Sequence, residues 1–319
     1  MMTTPKQKQS EEHVKFRPRR LAHANLLVGD TDRAAEFYNK VCGFEIVRRG
    51  PVQKSTTLSN GNTHHDLGLP QVGVRGRGLK PGLNHLGWEL ENEVELIAAY
   101  ERGKKAGLNM YCSDHIVCRG VYLRDPDGNM HEFYADMTKD WRETLATVDI
   151  SPEWTPGNPP PTNERNYDPD PQIRRVEDAL FHPRCITHAA IVTDNFEPML
   201  EFFTETAGLD KLFRGPDDSY LVLGGTKSGW DLGLFRASAG RPLGLQHIGF
   251  VVDDEDDLRE SVSRMRTVGV EPVIELDHAT KRSVFIKSND GMLLEFYSPR
   301  QAPLSSLREL DSGIALHLA

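Results

Sequence analysis

The chain repeats itself, and that constrains its fold more than any other feature. Residues 20–49 read RLAHANLLVGDTDRAAEFYNKVCGFEIVRR, and residues 186–214 read ITHAAIVTDNFEPMLEFFTETAGLDKLFR. Each is a short apolar strand carrying a His, then an Asp, a helix with paired aromatics, a Gly and a second strand. The aromatic pairs are Phe37 with Tyr38 and Phe202 with Phe203. Gly43 and Gly208 fall where a helix commonly ends on a left-handed residue. GLNHLGWEL at 82–90 matches GLQHIGFVV at 244–252, and an acidic helix follows each, over 92–107 and 254–268. YLRDPDGNMHEFYAD at 122–136 matches FIKSNDGMLLEFYSP at 285–299. DPDG and NDG signal hairpin turns between apolar runs. Each half therefore holds two strand–helix–strands units, four in all, which predicts an α+β fold.

A chain of 319 residues suits two domains. The expected layout is a polar tail (1–20), an N-terminal domain (21–136), a Pro-rich linker (137–183), a C-terminal domain (184–300) and a tail (301–319). The linker contains SPEWTPGNPPPTNERNYDPDP, a composition for a draped surface segment rather than a core element. In the last tail only Ile314, Leu316 and Leu318 hint at docking. Acidic residues outnumber basic ones 47 to 38, for a net charge of −9, which argues against a nucleic-acid partner. No apolar run of about 18 residues is present, so no membrane span is expected. The first twenty residues are polar, without the apolar core of a secretory signal. Cys42, Cys112, Cys118 and Cys185 form no CxxC pair. Scattered thiols point to a reducing cytoplasm rather than a disulfide framework. A homo-oligomer is expected.

The repeat carries a polar pattern. The first half has His23, His65, His85, His115, Tyr122 and Glu132; the second has His188, Trp230, His247, His278, Phe285 and Glu295 at equivalent places. A separation of 42 residues divides His23 from His65 and His188 from Trp230. Seven residues separate His115 from Tyr122 and His278 from Phe285, and ten separate each of those aromatics from its Glu. His23, His85 and Glu132 each lie in an apolar strand, where an imidazole or carboxylate needs a partner. Two imidazoles and a carboxylate with open positions form the facial triad of non-haem Fe(II) oxygenases, and the set also suits Zn(II), Mn(II) or Ni(II). One such His alone would be read as a hydrogen-bonded core residue; the matched recurrence favours a metal site.

Other residues have plainer readings. Alternation along a strand puts His64 on the face opposite His65, toward the surface or an interface. His131 should face away from Glu132 and is not counted as a ligand. Trp88, Phe37 and Tyr38 read as core. The run DDEDDLRE (253–260) reads as a solvated helix start, where carboxylates are favoured. Arg75 and Arg77 read as a basic surface loop.

LSNGNTHHDLGL (58–69), GLNHLGWEL and DHIVCRGVYLRDPDGNMHEFY (114–134) carry a resemblance. The chain resembles the vicinal oxygen chelate superfamily, built of paired βαβββ modules, and within it the two-domain extradiol ring-cleaving dioxygenases of the catechol 2,3-dioxygenase type. The resemblance covers about 21–136 and 184–300. It implies four modules, with metal ligands at His23, His85 and Glu132 and acid–base residues at His65, His115 and Tyr122. It implies a mononuclear Fe(II) (Fe2+) site, with Mn(II) (Mn2+) also suited, that cleaves a catechol-type diol with O2 to a muconic semialdehyde type of product. His65 would serve the O2 side, while His115 and Tyr122 would polarise the substrate oxygens.

One departure matters. In many two-domain relatives the C-terminal half is the working one. Here both halves keep His, His and Glu, but Trp230 and Phe285 stand where the first half has His65 and Tyr122. Neither replacement exchanges a proton at neutral pH, so catalysis is placed in the first half. The second triad, His188, His247 and Glu295, is either a metal-binding relic or structural. Module pairing also stays open: joining the first module to the fourth would assemble His23, His247 and Glu295 instead. Two other readings compete. A glyoxalase-like isomerase or lyase would use a second carboxylate ligand at the end of the first module, where this chain has His64, His65 and Asp66. A metal-free binding protein of the bleomycin-resistance type would leave three buried polar groups without a purpose.

Overall fold

The computed structural model describes residues 14–50, 54–74, 78–147 and 152–318. Each half of the chain curls into one eight-stranded sheet with helices on its outer face. The first sheet holds β1 (Arg20–Leu27), β2 (Ile46–Gly50), β3 (Ser55–Leu58), β4 (Leu67–Pro70), β5 (Gly82–Glu89), β6 (Tyr111–Asp114), β7 (Cys118–Arg124) and β8 (Met130–Asp136). Its order is β2-β3-β4-β1-β5-β8-β7-β6. The second holds β9 (Pro183–Thr193), β10 (Asp210–Arg214), β11 (Tyr220–Gly224), β12 (Leu232–Arg236), β13 (Gly244–Val252), β14 (Ile274–Asp277), β15 (Lys281–Lys287) and β16 (Leu293–Pro299), in the same order. Each sheet is thus two βαβββ modules joined where their first strands run antiparallel, β1 beside β5 and β9 beside β13. The first module pairs with the second, so the assembly of His23 with His247 and Glu295 does not form.

The helices are α1 (Thr31–Lys40), α2 (Glu93–Lys105), α3 (Trp141–Thr147), α4 (Phe196–Glu201), α5 (Glu255–Thr267) and α6 (Ser312–Ala315). The side chains of Asp30, Asn92 and Asp254 cap α1, α2 and α5, each accepting from a backbone N–H three residues on. The acidic run at 253–260 is therefore the start of α5, with ion pairs from Arg184 to Asp253, Arg175 to Asp257 and Arg300 to Glu255. α4 continues as a π-helical turn (Phe202–Ala207) that ends at Gly208, whose φ of +82° is the left-handed state expected there.

One core runs through both halves. Asp231 Oδ1 accepts from the backbone N–H of Leu21 at 2.6 Å, and Asp66 Oδ1 accepts from that of Ile186 at 3.3 Å. Each carboxylate is buried at the foot of the other half's first strand. The expected N-terminal arm behaves otherwise over its described part. Val14 and Phe16 are buried, and Phe16 stacks on Phe133 with centroids 4.2 Å apart. Lys15, Phe16 and Arg17 donate to the carbonyls of Glu205, Thr206 and Ala207. The end of the linker does the same in reverse. Phe181 stacks on Phe296 at 4.1 Å, and Leu180 and Phe181 donate to Lys40 and Val41. Each segment also satisfies orphan carbonyls at the end of the other half's helix. The C-terminal segment also docks. Leu307, Ala315, Leu316 and Leu318 are buried against Phe213, Tyr220 and Phe235, while Ile314 points to solvent. Arg75 and Arg77 lie outside the described residues.

Candidate metal centre

The register of three neighbouring strands builds the site. His23 on β1 faces Gly87 on β5, and Gly87 faces Glu132 on β8. His85 lies two residues before Gly87 and so shares its face of the sheet. A Cβ on Gly87 would collide with the His23 ring, and one on Gly120 would collide with Glu132 Oε1. Two glycines thus open the space into which the imidazole and the carboxylate turn.

The three side chains converge. His23 Nε2 is 3.0 Å from Glu132 Oε2 and 3.3 Å from His85 Nε2, and His85 Nε2 is 3.2 Å from Glu132 Oε2. All three residues are buried. Ligand atoms at about 2.1 Å from one ion, in neighbouring octahedral positions, would lie about 3 Å apart. The fit extends to unsatisfied groups. Among the described residues Glu132 Oε1 is buried without a hydrogen-bond partner, and the ionic partners of the carboxylate are imidazoles. A buried carboxylate so placed is short of one cation. Burial opposes its charge, but hydrogen bonds from His23 and His85 outweigh that and hold its carboxyl well below the usual range. Burial brings His23 down to about 4 against the pull of Glu132, so it is neutral at physiological pH. The donor set is one carboxylate and unprotonated imidazole, the form a metal requires. Asn84 Oδ1 accepts from His85 Nδ1 at 2.8 Å, which leaves Nε2 free to face the centre.

A pocket of about 160 Å³ opens on this face, lined by His64, His65, His115, Tyr122 and Glu132 among others. The His65 ring lies 4.1 Å from the His23 ring, and its Nε2 donates to Asn25 Oδ1 at 3.1 Å. Burial, together with His23 and His64, pushes the His65 imidazole well below its ordinary value. His115 Nε2 and the Tyr122 hydroxyl are 2.8 Å apart. Burial lowers the His115 imidazole and raises the Tyr122 phenol well above its usual value. His115 precedes Ile116, a β-branched residue held at φ +71° by Asp114 Oδ1 accepting its N–H at 2.6 Å. Four of the six residues singled out in the first half, His65, His115, Tyr122 and Glu132, thus line one pocket, and His23 and His85 reach Glu132 behind it.

Sequence reasoning misplaced His64. Residues 61–66 bend instead of running extended, so strand alternation does not apply. His64 is buried at the pocket wall, with Nδ1 3.2 Å from Asp136 Oδ1 and Nε2 3.4 Å from Cys118 Sγ. Asn25, Asn84 and Cys118 were missed. The one available signal was Asn84 beside His85, matched by Gln246 beside His247. His131 is buried between Trp88, whose Nε1 donates to its Nδ1, and Asp125, and takes no part. In the second half His188, Glu295 and His247 converge likewise, with Glu295 Oε2 3.0 Å from His188 Nε2 and 3.7 Å from His247 Nε2. His278 folds onto its own turn, Nδ1 2.9 Å from Thr280 Oγ1.

The chain belongs to the Glyoxalase/Bleomycin resistance protein/Dioxygenase superfamily, which it matches over residues 20–133 and 185–296. It is 31% identical over 117 residues to a catechol-2,3-dioxygenase of Bacillus subtilis (strain 168). That stretch is 36% of this chain and 41% of the relative, so the match spans about two-fifths of the relative's length. The fold is similar to that of the 2,3-dioxygenase LapB from Pseudomonas sp. KL28, with a TM-score of 0.67 at 16% identity over 92% of this chain and 96% of that one. It is also similar to a Mn(II)-bound glyoxalase from Novosphingobium aromaticivorans, with a TM-score of 0.66 at 16% identity over 89% and 83%.

Proposed function

We propose that the chain is an extradiol dioxygenase that opens the ring of a catechol-type diol with O2 at a mononuclear Fe(II) site in its first half. The observation that carries this reading is the company the triad keeps. Three donor atoms 3.0–3.3 Å apart adjoin a pocket lined by Glu132 together with His65, His115 and Tyr122, groups able to handle protons. Iron, when bound by His23, His85 and Glu132, supplies a centre at which diol and O2 are brought together.

The chain's own residues do the rest. Tyr122 stays protonated and donates a hydrogen bond to a substrate oxygen. His115, neutral and 2.8 Å from that hydroxyl, donates its Nε2–H to the phenolic oxygen and so turns the Tyr122 proton toward the substrate. His65, neutral and oriented by Asn25, holds or returns a proton on the opposite side of the pocket. A glyoxalase-like isomerase would need a second carboxylate ligand, and the corresponding segment here contributes His64 and His65 to the pocket while Asp66 turns away to Ile186. The test is to load the protein anaerobically with iron and expose it to a panel of catechols and O2. Yellow ring-opened products are expected. Isomerisation of a thiohemiacetal by the Ni(II) or Zn(II) form, without ring opening, would favour the isomerase.

A further inference from the structure

The second half repeats the triad, yet its surroundings differ at two positions that act together. Lys281 opens β15 where Cys118 opens β7, and Trp230 stands where the first half has His65. The Lys281 side chain is buried, with 1% of it exposed, and its Nζ lies 2.7 Å from Glu295 Oε1. The counterpart of that oxygen in the first half, Glu132 Oε1, has instead an imidazole nitrogen of His115 at 3.8 Å. The ammonium also lies 5.2 Å from the ring centroid of Trp230 and 5.2 Å from that of Tyr297. The ammonium is thus neutralised by an ion pair and two aromatic faces rather than by hydrogen bonds among the described residues.

The site is closed as well. His188, His247 and Glu295 have no exposed surface. The C-terminal segment packs beside His247, with the His317 ring 5.5 Å from Phe285 and 6.4 Å from His247. Tyr220 ties that segment down by donating its hydroxyl to the Leu307 carbonyl.

We infer that the second triad does not take a metal ion, because the ammonium of Lys281 stands in for it. A positive charge already neutralises Glu295, and a divalent ion placed there would meet a fixed like charge within a few ångströms. The second half keeps the ligand set as an internally charged strut, and the full chain holds one metal. The count of one ion rests on the first-half metal site proposed above, the exclusion from the second half does not, and both are read without any turnover.

The experiment counts Fe(II) and Zn(II) per chain after anaerobic loading of the full-length protein. Wild type is expected to hold one ion and His85→Ala none. In the His85→Ala background, Lys281→Cys restores the first-half residue and is expected to raise the count from none to one. Two ions in wild type, one in His85→Ala, or none in the folded double variant would each overturn the inference. A second measurement guards against misfolding. Glu295→Gln and Lys281→Met should each lower Tm, and the double variant should recover much of the loss, since each single change strands one buried partner. Purely additive losses would show that the ammonium does not neutralise Glu295, and would overturn the inference too.

Discussion

Gly87 makes room for His23, and no other residue does so at that point of β5. Gly87→Ala should force the imidazole out of line and weaken metal binding by about 10–100-fold, the usual effect of disturbing what orients a ligand. A calorimetric titration with Zn(II) checks this; unchanged affinity would mean that the ring does not sit against the glycine when metal is bound. Two other residues separate proton handling from ligation. His65→Phe should retain iron and lose about 10²–10⁴-fold in turnover, the range for general acid–base help. Tyr122→Phe copies what Phe285 already is and removes one hydrogen bond, about 1–3 kcal/mol, or roughly 5–150-fold. Steady-state rates on iron-normalised protein should rank His65→Phe as the worse. The six first-half residues were legible because the repeat supplied a second copy to measure against. His64 was not, because a bend in the chain cancels the alternation used to place it. Lys281 was not, because a single Lys at the start of a strand reads as solvated.

At the scale of elements, the strands and helices follow their signals closely. The acidic helices expected over 92–107 and 254–268 run Glu93–Lys105 and Glu255–Thr267, and the DPDG and NDG turns join β7 to β8 and β15 to β16. The arms were harder to read. Phe16-Arg17-Pro18-Arg19 and Phe181-His182-Pro183-Arg184 each begin seven residues before the first triad histidine of their half, His23 or His188, so the repeat starts earlier than its apolar strands suggest. Their composition is polar, and one Phe in each carries the packing. Phe16→Ala removes a buried ring stacked on Phe133 and should cost about 3–5 kcal/mol of stability. Urea unfolding measures it, and a loss near zero would return residues 14–19 to the status of a loose arm.

For the whole molecule, the two halves are held by reciprocal buried carboxylates. Burial raises Asp66 and Asp231 to about 6, above the ordinary value of 3.8. A carboxyl raised in the folded state binds its proton more tightly there than in the unfolded chain. It therefore contributes stability below about pH 4 that is lost as pH rises toward 6. Asp66→Asn and Asp231→Asn keep an oxygen to accept the backbone N–H and remove the titration. Each variant should lose less stability than wild type between about pH 4 and 6, by on the order of 3 kcal/mol. Unfolding free energies across that range decide it, and parallel curves would refute the coupling. Whether the first-half site is the one that opens rings is decided by giving wild type, His85→Ala and His247→Ala the same anaerobic iron loading and assaying them side by side on a catechol that wild type cleaves. His247→Ala is expected to keep ring opening at a rate near wild type, while His85→Ala loses both its iron and the product. Ring opening by His85→Ala, or its absence in a folded, iron-loaded His247→Ala protein, would contradict the first-half placement.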